Sequence, residues 1–348
     1  MPHLPDLTPL LSWYAAHKRD LPWRATKDPY RIWISEIMLQ QTRVEAVIPY
    51  YHRFLAALPD IGSLARVEET ELLKLWEGLG YYSRARNLQR AARQIMAEHG
   101  GTFPRSYEEI RALPGIGDYT AGAIAAFAFG LPCPAVDGNV LRVISRLSCY
   151  EKNILDSSSK KELTEAVRST IPRDAAGDFG QSLIELGATV CVPNGAPHCD
   201  RCPLANVCAA RREGRTRELP VRIKRGSRRK EERTVLILRI GDRVALRQRP
   251  RSGLLAGLFE PLTLPRLLDA NEVGEEISAL GLTPLHITPL GEAKHIFTHI
   301  EWQMTGYEVI LDDACERRLP EGLLLAERDE IDRLFPLPSA YRAYRAFM

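Results

Sequence analysis

No long apolar run crosses this sequence. The longest uncharged stretch, Tyr119 to Val136, is cut by Gly130, Pro132 and Pro134, which leaves a helix too short to span a bilayer. The N-terminal residues MPHLPDLTPLLSWY carry neither a basic segment nor an extended apolar one, so no export signal is read there. Both absences predict a cytoplasmic protein with no membrane partner. Seven cysteines, an odd number with four bunched together, argue against a disulfide framework in such a chain and for metal ligation. Net charge is small as well, +3 over 348 residues, but it is unevenly spread: residues 211 to 230 hold ten Lys or Arg against two Glu.

The length allows two or three domains with ample core for each, and 45% hydrophobic with 26% charged residues is an ordinary globular balance. Through residue 210 the apolar residues recur at helical spacing between punctuation such as Leu58-Pro59-Asp60 and Ile171-Pro172-Arg173, with no run of alternating strands. Residues 211–229 read as a basic linker. After it the texture changes. Thr234 to Ile240, a Gly241-Asp242 turn and Val244 to Arg249 predict a hairpin, and Ile300 to Leu311 alternates again. An α+β domain is expected over 230–348, with helices near 266–280 and 338–347.

Four clusters carry the candidate chemistry. In Trp33 to Thr42, WISEIMLQQT, the carboxylate Glu36 sits within an apolar helical face, with Gln40 four residues on. It has no Lys or Arg three or four residues away, so desolvation should raise its pKa toward that of a general acid. Leu113 to Ala121, LPGIGDYTA, places Gly115 and Gly117 between two helical segments, where bare backbone N–H groups at a helix start suit a phosphate. In Val136 to Val140, VDGNV, Asp137 is an N-cap by position and also a second carboxylate opposite Glu36. An acid and an anion are what cleavage at a sugar's anomeric carbon requires. Cys191, Cys199, Cys202 and Cys208 form C-x7-C-x2-C-x5-C. Zinc and an iron–sulfur cluster both compete for them; a single C-x-x-C pair tilts the choice to [4Fe-4S].

Together these elements resemble the endonuclease III superfamily, and WISEIMLQQT with LPGIGDYTAG and VDGNV resembles its MutY-type adenine DNA glycosylases. LPWR at Leu21–Arg24, GLGYYSRARNL at Gly78–Leu88 and HIFTH at His295–His299 extend the likeness over most of the chain. The resemblance implies a mainly α helix-hairpin-helix glycosylase with a [4Fe-4S] cluster domain and a C-terminal α+β Nudix-like domain. Its expected parts are a six-helix domain at 28–131, a cluster domain from 1–27 and 132–210, the linker at 211–229 and lesion recognition at 230–348. The implied substrate is double-stranded DNA with adenine opposite 8-oxoguanine or guanine, bound by a monomer associated with the nucleoid, the base being flipped out and cut in base excision repair.

By that resemblance Glu36 protonates adenine N7, Asp137 stabilises the cationic sugar, and Tyr119 and Asn139 position it. Trp23, Arg24, Leu39 and Gln181 match the adenine pocket. Gln41, Thr42, Leu79 and Tyr81 match residues holding the opposite strand, and Phe297, Thr298 and His299 match the lesion reader. The basic stretch would lie along phosphates. Three positions depart from the pattern: seven residues instead of six separate the first two cysteines, Gly180 stands for Asn, and Thr298 stands for Ser.

Rival activities are weaker. A pyrimidine glycosylase and lyase needs an amine, normally a Lys in the hairpin; Tyr119 holds that place, and no Lys lies between Lys74 and Lys152. A thymine mismatch glycosylase has no need of the C-terminal domain or of Gln40-Gln41-Thr42. A non-enzymatic DNA-binding module would leave Glu36 and Asp137 without a task. Residues 266–283 offer Glu272, Glu275 and Glu276 but not the spacing of a Nudix hydrolase's Mg²⁺ helix, so a recognition domain is expected there.

Overall fold

The helix carrying Glu36, Pro29–Met38, starts where Pro29 presets the backbone and the Asp28 side chain accepts a hydrogen bond from Tyr30 N–H at 2.9 Å. It packs on the Ala-rich helix Asp118–Phe129, whose small buried residues permit close approach, and which itself packs on Ala176–Thr189. The helix Gly138–Leu147 lies against Ala176–Thr189 as well. That contact requires Gly187: a Cβ there would stand 2.6 Å from the Cβ of Asn139. Thus the start of the Asp137 helix is pressed against its neighbour.

The computed structural model describes residues 2–223 and 228–348. The chain divides into two units, Met1–Arg66 with Asn87–Arg225, and Val67–Arg86 with Gly226–Met348. The first is helical among its described residues, as its periodicity predicts. Its basic stretch is not all linker. Leu219 is buried, Arg146 Nε donates to the Leu219 carbonyl (2.9 Å), and Ile154 N–H donates to the Val221 carbonyl (3.1 Å). The expected linker of 211–229 is therefore shortened at its start, because Leu219 and the carbonyls beside it have partners in the helical unit. Lys224 and Arg225 lie outside the described residues.

In the second unit six strands are ordered β4-β5-β1-β3-β2-β6, where β1 is Arg229–Ile240, β2 Arg243–Gln248, β3 Phe259–Leu264, β4 Pro284–Ile296, β5 Ile300–Leu311 and β6 Leu323–Ala326. β1 and β5 pair in parallel and every other pair is antiparallel. Alternation along β1 sends Val235 and Ile237 to one core and Leu236, Leu238 and Ile240 to the other. The helix Ala270–Ala279 covers the second face through Val273 and Ile277. Tyr341 and Tyr344 of Ser339–Phe347 close the first. That last segment is a 3-10 helix, at the place where a helix was expected. Val67–Arg86, expected in the helical domain, belongs here by packing: the helix Glu69–Leu75 lies on Arg328–Leu334, and Lys74 Nζ donates to the carbonyls of Ile331 (3.3 Å) and Phe335 (3.1 Å).

Candidate active site

Glu36 is buried, 5% exposed, at the wall of a cavity of about 510 Å³ that Asp137 also lines. Burial raises its pKa to about 7; a hydrogen bond from Tyr119 pulls downward, the Asp137 charge upward, and Arg24 downward. The Tyr119 O–H donates to Glu36 Oε2 at 2.8 Å. Asp137 has more donors. Its Oδ1 accepts from the backbone N–H groups of Asn139 and Val140 (2.8 Å each) and its Oδ2 from Asn139 Nδ2 (2.7 Å). It is thus an N-cap and a site carboxylate at once. Burial raises its pKa and those three donors oppose the rise.

The same cavity is lined by Trp23, Arg24, Leu39 and Gln181, the residues matched to an adenine pocket, and also by Gln41 and Thr42, which were matched to the opposite strand. Trp23 is buried edge-on against Tyr51, and Gln181 Oε1 accepts from Tyr14 O–H at 2.8 Å. The helix ends at Met38 and Gln41 turns the chain at φ 60°, so Gln40 lies beyond the helix that carries Glu36; it still lines the same cavity, and its Nε2 donates to Thr120 Oγ1 at 3.3 Å.

The LPGIG segment joins Tyr107–Ala112 to Asp118–Phe129, as a helix-hairpin-helix requires. Gly115 is at φ 77°, and a Cβ there would lie 2.6 Å from the Cβ of Asn87, so conformation and space both demand glycine. Gly117 is the N-cap of the second helix, with nothing within 4 Å of an added Cβ.

In the second unit, Tyr81, Phe297, Thr298 and His299 line a cavity of about 460 Å³. Tyr81 is half exposed at φ 47°, and its hydroxyl hydrogen-bonds Thr298 Oγ1 at 2.9 Å. Phe297 N–H donates to the Ile300 carbonyl (2.8 Å) and the His299 carbonyl accepts from Arg229 N–H (2.9 Å), which fixes the turn. Leu79 is buried and its carbonyl accepts from Arg84 Nη2 at 2.8 Å; as a contact to a DNA strand its side chain is not presented.

Residues 34–169 match the HhH-GPD superfamily of base excision DNA repair proteins, and residues 233–346 match a NUDIX domain. The chain is 35% identical over 373 residues to adenine DNA glycosylase of Mus musculus, covering 90% of this chain and 72% of that one. It is 35% identical to adenine DNA glycosylase of Buchnera aphidicola subsp. Baizongia pistaciae, covering 87% and 85%. The chain belongs to the adenine DNA glycosylase family. Among solved structures, a thermostable thymine-DNA glycosylase is similar at 30% identity and TM-score 0.53, covering 59% of this chain and 94% of that one. A trapped endonuclease III–DNA covalent intermediate is similar at 25% and 0.51, covering 59% and 93%.

In this adenine DNA glycosylase family member Cys191, Cys199, Cys202 and Cys208 are all free and line one cavity, with Val143, Leu147, Leu186 and Val190 among its walls. Arg146 Nη1 donates to Cys191 Sγ at 3.2 Å. Among the described residues no three His, Cys, Asp or Glu side chains stand close enough to hold a single metal ion. No helix among them is long and apolar enough to cross a membrane.

Two supporting groups were not foreseen. Arg142, buried, donates to the Cys191 carbonyl (2.7 Å), the Gly187 carbonyl (2.7 Å) and Asn139 Oδ1 (2.8 Å), tying the Asp137 turn to the first cysteine. Its signal in the sequence is Arg142 and Arg146 four apart in an otherwise apolar helix. Glu185, fully buried, is bound by Arg19 (2.8 Å) and Arg24 (2.7 Å); burial would raise its pKa, but those cations hold it at about 2. Arg24 is thereby anchored at the cavity wall. Nothing near Glu185 in sequence marks it.

Proposed function

We propose that this chain is a monofunctional DNA glycosylase that hydrolyses the N-glycosidic bond of adenine opposite 8-oxoguanine or guanine in base excision repair. The observation that carries the reading is Glu36, a buried carboxyl group with a pKa near neutrality, sharing one cavity with Asp137. Two carboxylates in different surroundings divide the work. Glu36, with the Tyr119 hydroxyl as its hydrogen-bond donor, holds a proton for the leaving base at N7. Asp137, held by three donors, is the better anion and faces the cationic sugar, with Asn139 fixing its orientation. Water completes the hydrolysis. Tyr119 holds the hairpin position where a lyase carries its amine, and no Lys lies between Lys74 and Lys152 in sequence.

The partner is duplex DNA, extruding one nucleotide into the cavity, with a monomer acting at the nucleoid of the cytoplasm. Gly115 and Gly117 offer backbone N–H groups to a phosphate. Tyr81 wedges into the stack, while the turn Phe297-Thr298-His299 reads the opposite base. The donor set of Cys191, Cys199, Cys202 and Cys208 suits a [4Fe-4S] cluster: four soft sulfurs around one largely apolar cavity, with Arg146 offsetting thiolate charge. When bound, such a cluster supplies a structural cross-link and a redox-capable centre. Iron analysis and visible absorbance of protein purified without air test this; one zinc and no iron would refute it.

The function is tested by incubating the protein with duplexes bearing A opposite 8-oxoguanine, A opposite G and T opposite G. Base loss from the first two, with strand breaks only after alkali, supports the reading. Thymine release, or breaks without alkali, contradicts it.

A further inference from the structure

A second cavity in the helical unit, of about 520 Å³, is separate from the one that holds Glu36. Four arginines line it, Arg142, Arg146, Arg217 and Arg222, and among the described residues lining it none is acidic. Arg142 and Arg146 are buried, and among the described residues their guanidinium groups donate to backbone carbonyls, to Asn139 Oδ1 and to Cys191 Sγ. Arg217 and Arg222 stand exposed at the mouth. Pro193, Gly195 and Ala196 also line it, from the loop between the first two cysteines, which carries no Lys or Arg. The cavity therefore concentrates positive charge that lining carboxylates do not offset, and an anion would relieve the repulsion.

Its position narrows the anion. A methyl group added at Gly138 would come within 3.8 Å of Arg222 Nη2, and Gly138 directly follows Asp137. The cationic mouth thus opens beside the turn that presents the carboxylate to the sugar. We propose that this cavity is a phosphodiester site, in which Arg217 and Arg222 grip a DNA backbone phosphate adjoining the nucleotide whose sugar faces Asp137. Guanidinium groups suit the task because each presents paired N–H donors to phosphate oxygens. The inference rests on the glycosylase reading above and assigns that site a further binding element.

The test uses the full chain and a duplex with 2′-fluoroadenosine opposite G, which resists cleavage because fluorine disfavours a cationic sugar. Binding is followed by fluorescence anisotropy across a salt series for wild type, Arg217→Ala/Arg222→Ala and Arg217→Lys/Arg222→Lys, with circular dichroism to show that each is folded. The alanine pair should bind roughly 10- to 100-fold more weakly, as expected for lost charge-assisted hydrogen bonds. The slope of log affinity against log salt should become shallower by about 0.9 for one released phosphate contact. The lysine pair should recover the slope and part of the affinity. Neutral methylphosphonates are then placed singly on either side of the target nucleotide. At one position wild type should weaken while the alanine pair weakens no further. Parallel losses in the two proteins at every position, or equal affinity and salt slope without any methylphosphonate, overturn the phosphate site alone. Wild type that releases no adenine from A opposite 8-oxoguanine or G overturns the reading on which it rests.

Discussion

Tyr119 donates its hydroxyl to Glu36 Oε2 at 2.8 Å, and this one hydrogen bond sets the acid against its own burial. Desolvation drives Glu36 up to about 7, and the Tyr119 bond is the largest influence in the other direction. The bond favours the charged carboxylate, so its removal has a predictable sign. In Tyr119→Phe the alkaline limb of the single-turnover rate should move to higher pH, by roughly one unit, the equivalent of about 1.4 kcal/mol. A pH–rate profile under single-turnover conditions measures it. A limb that stays put or moves down would show that Tyr119 does not tune the acid.

Stability should move with the same group. Because the folded-state pKa of about 7 exceeds the ordinary 4.5, the folded chain keeps a proton that the unfolded chain releases between those values. The contribution of Glu36 to stability is thus present below about pH 4.5 and is lost as pH rises to about 7. Glu36→Gln removes that loss. Thermal or urea unfolding at pH 8 should find the variant more stable by up to about 3.5 kcal/mol, from the gap of about 2.5 pKa units at about 1.4 kcal/mol each, with the difference vanishing near pH 4.5. A variant less stable than wild type at pH 8 would contradict the burial argument.

Asp137 has two tasks that two substitutions separate. Asp137→Asn keeps an oxygen for the Asn139 and Val140 N–H groups, so it should remain nearly as stable as wild type while losing excision. Asp137→Ala should lose excision and also about 1 kcal/mol of stability, the usual worth of an N-cap. Paired unfolding and single-turnover assays distinguish them; an active Asn variant would reduce Asp137 to a cap.

In the second unit, Thr298 already shares its hydroxyl with Tyr81 at 2.9 Å, so it is one member of a held pair. Thr298→Ala should cost about 0.5–1.5 kcal/mol in binding to A opposite 8-oxoguanine and little to A opposite G. Equal losses on the two duplexes would mean that Thr298 does not read the lesion.

The parts of this architecture carried by local rules were readable from the residues. Gly115 turns a hairpin and Asp137 caps a helix because short-range sterics and hydrogen bonding decide those features. Glu36 was legible because a carboxylate inside an apolar face has few other uses. Long-range features were not. β4 contains Pro289 and Gly291 and shifts register twice, so no alternation announces it. Val67–Arg86 looks helical and gives no sign that its packing partners lie some 250 residues on. The basic run hides Leu219, whose burial depends on a helix far away in the chain. Glu185 likewise becomes a site residue only when Arg19 and Arg24 fold onto it.

The central claim is that Glu36 delivers the proton that lets adenine leave. Single-turnover release of free adenine from a duplex with A opposite 8-oxoguanine, compared for wild type and Glu36→Gln at pH 7, tests it most directly. The account predicts that the variant binds the mispair with near wild-type affinity yet releases adenine at least ~10²–10⁴-fold more slowly. A bound variant that releases adenine at a rate near that of wild type would contradict it.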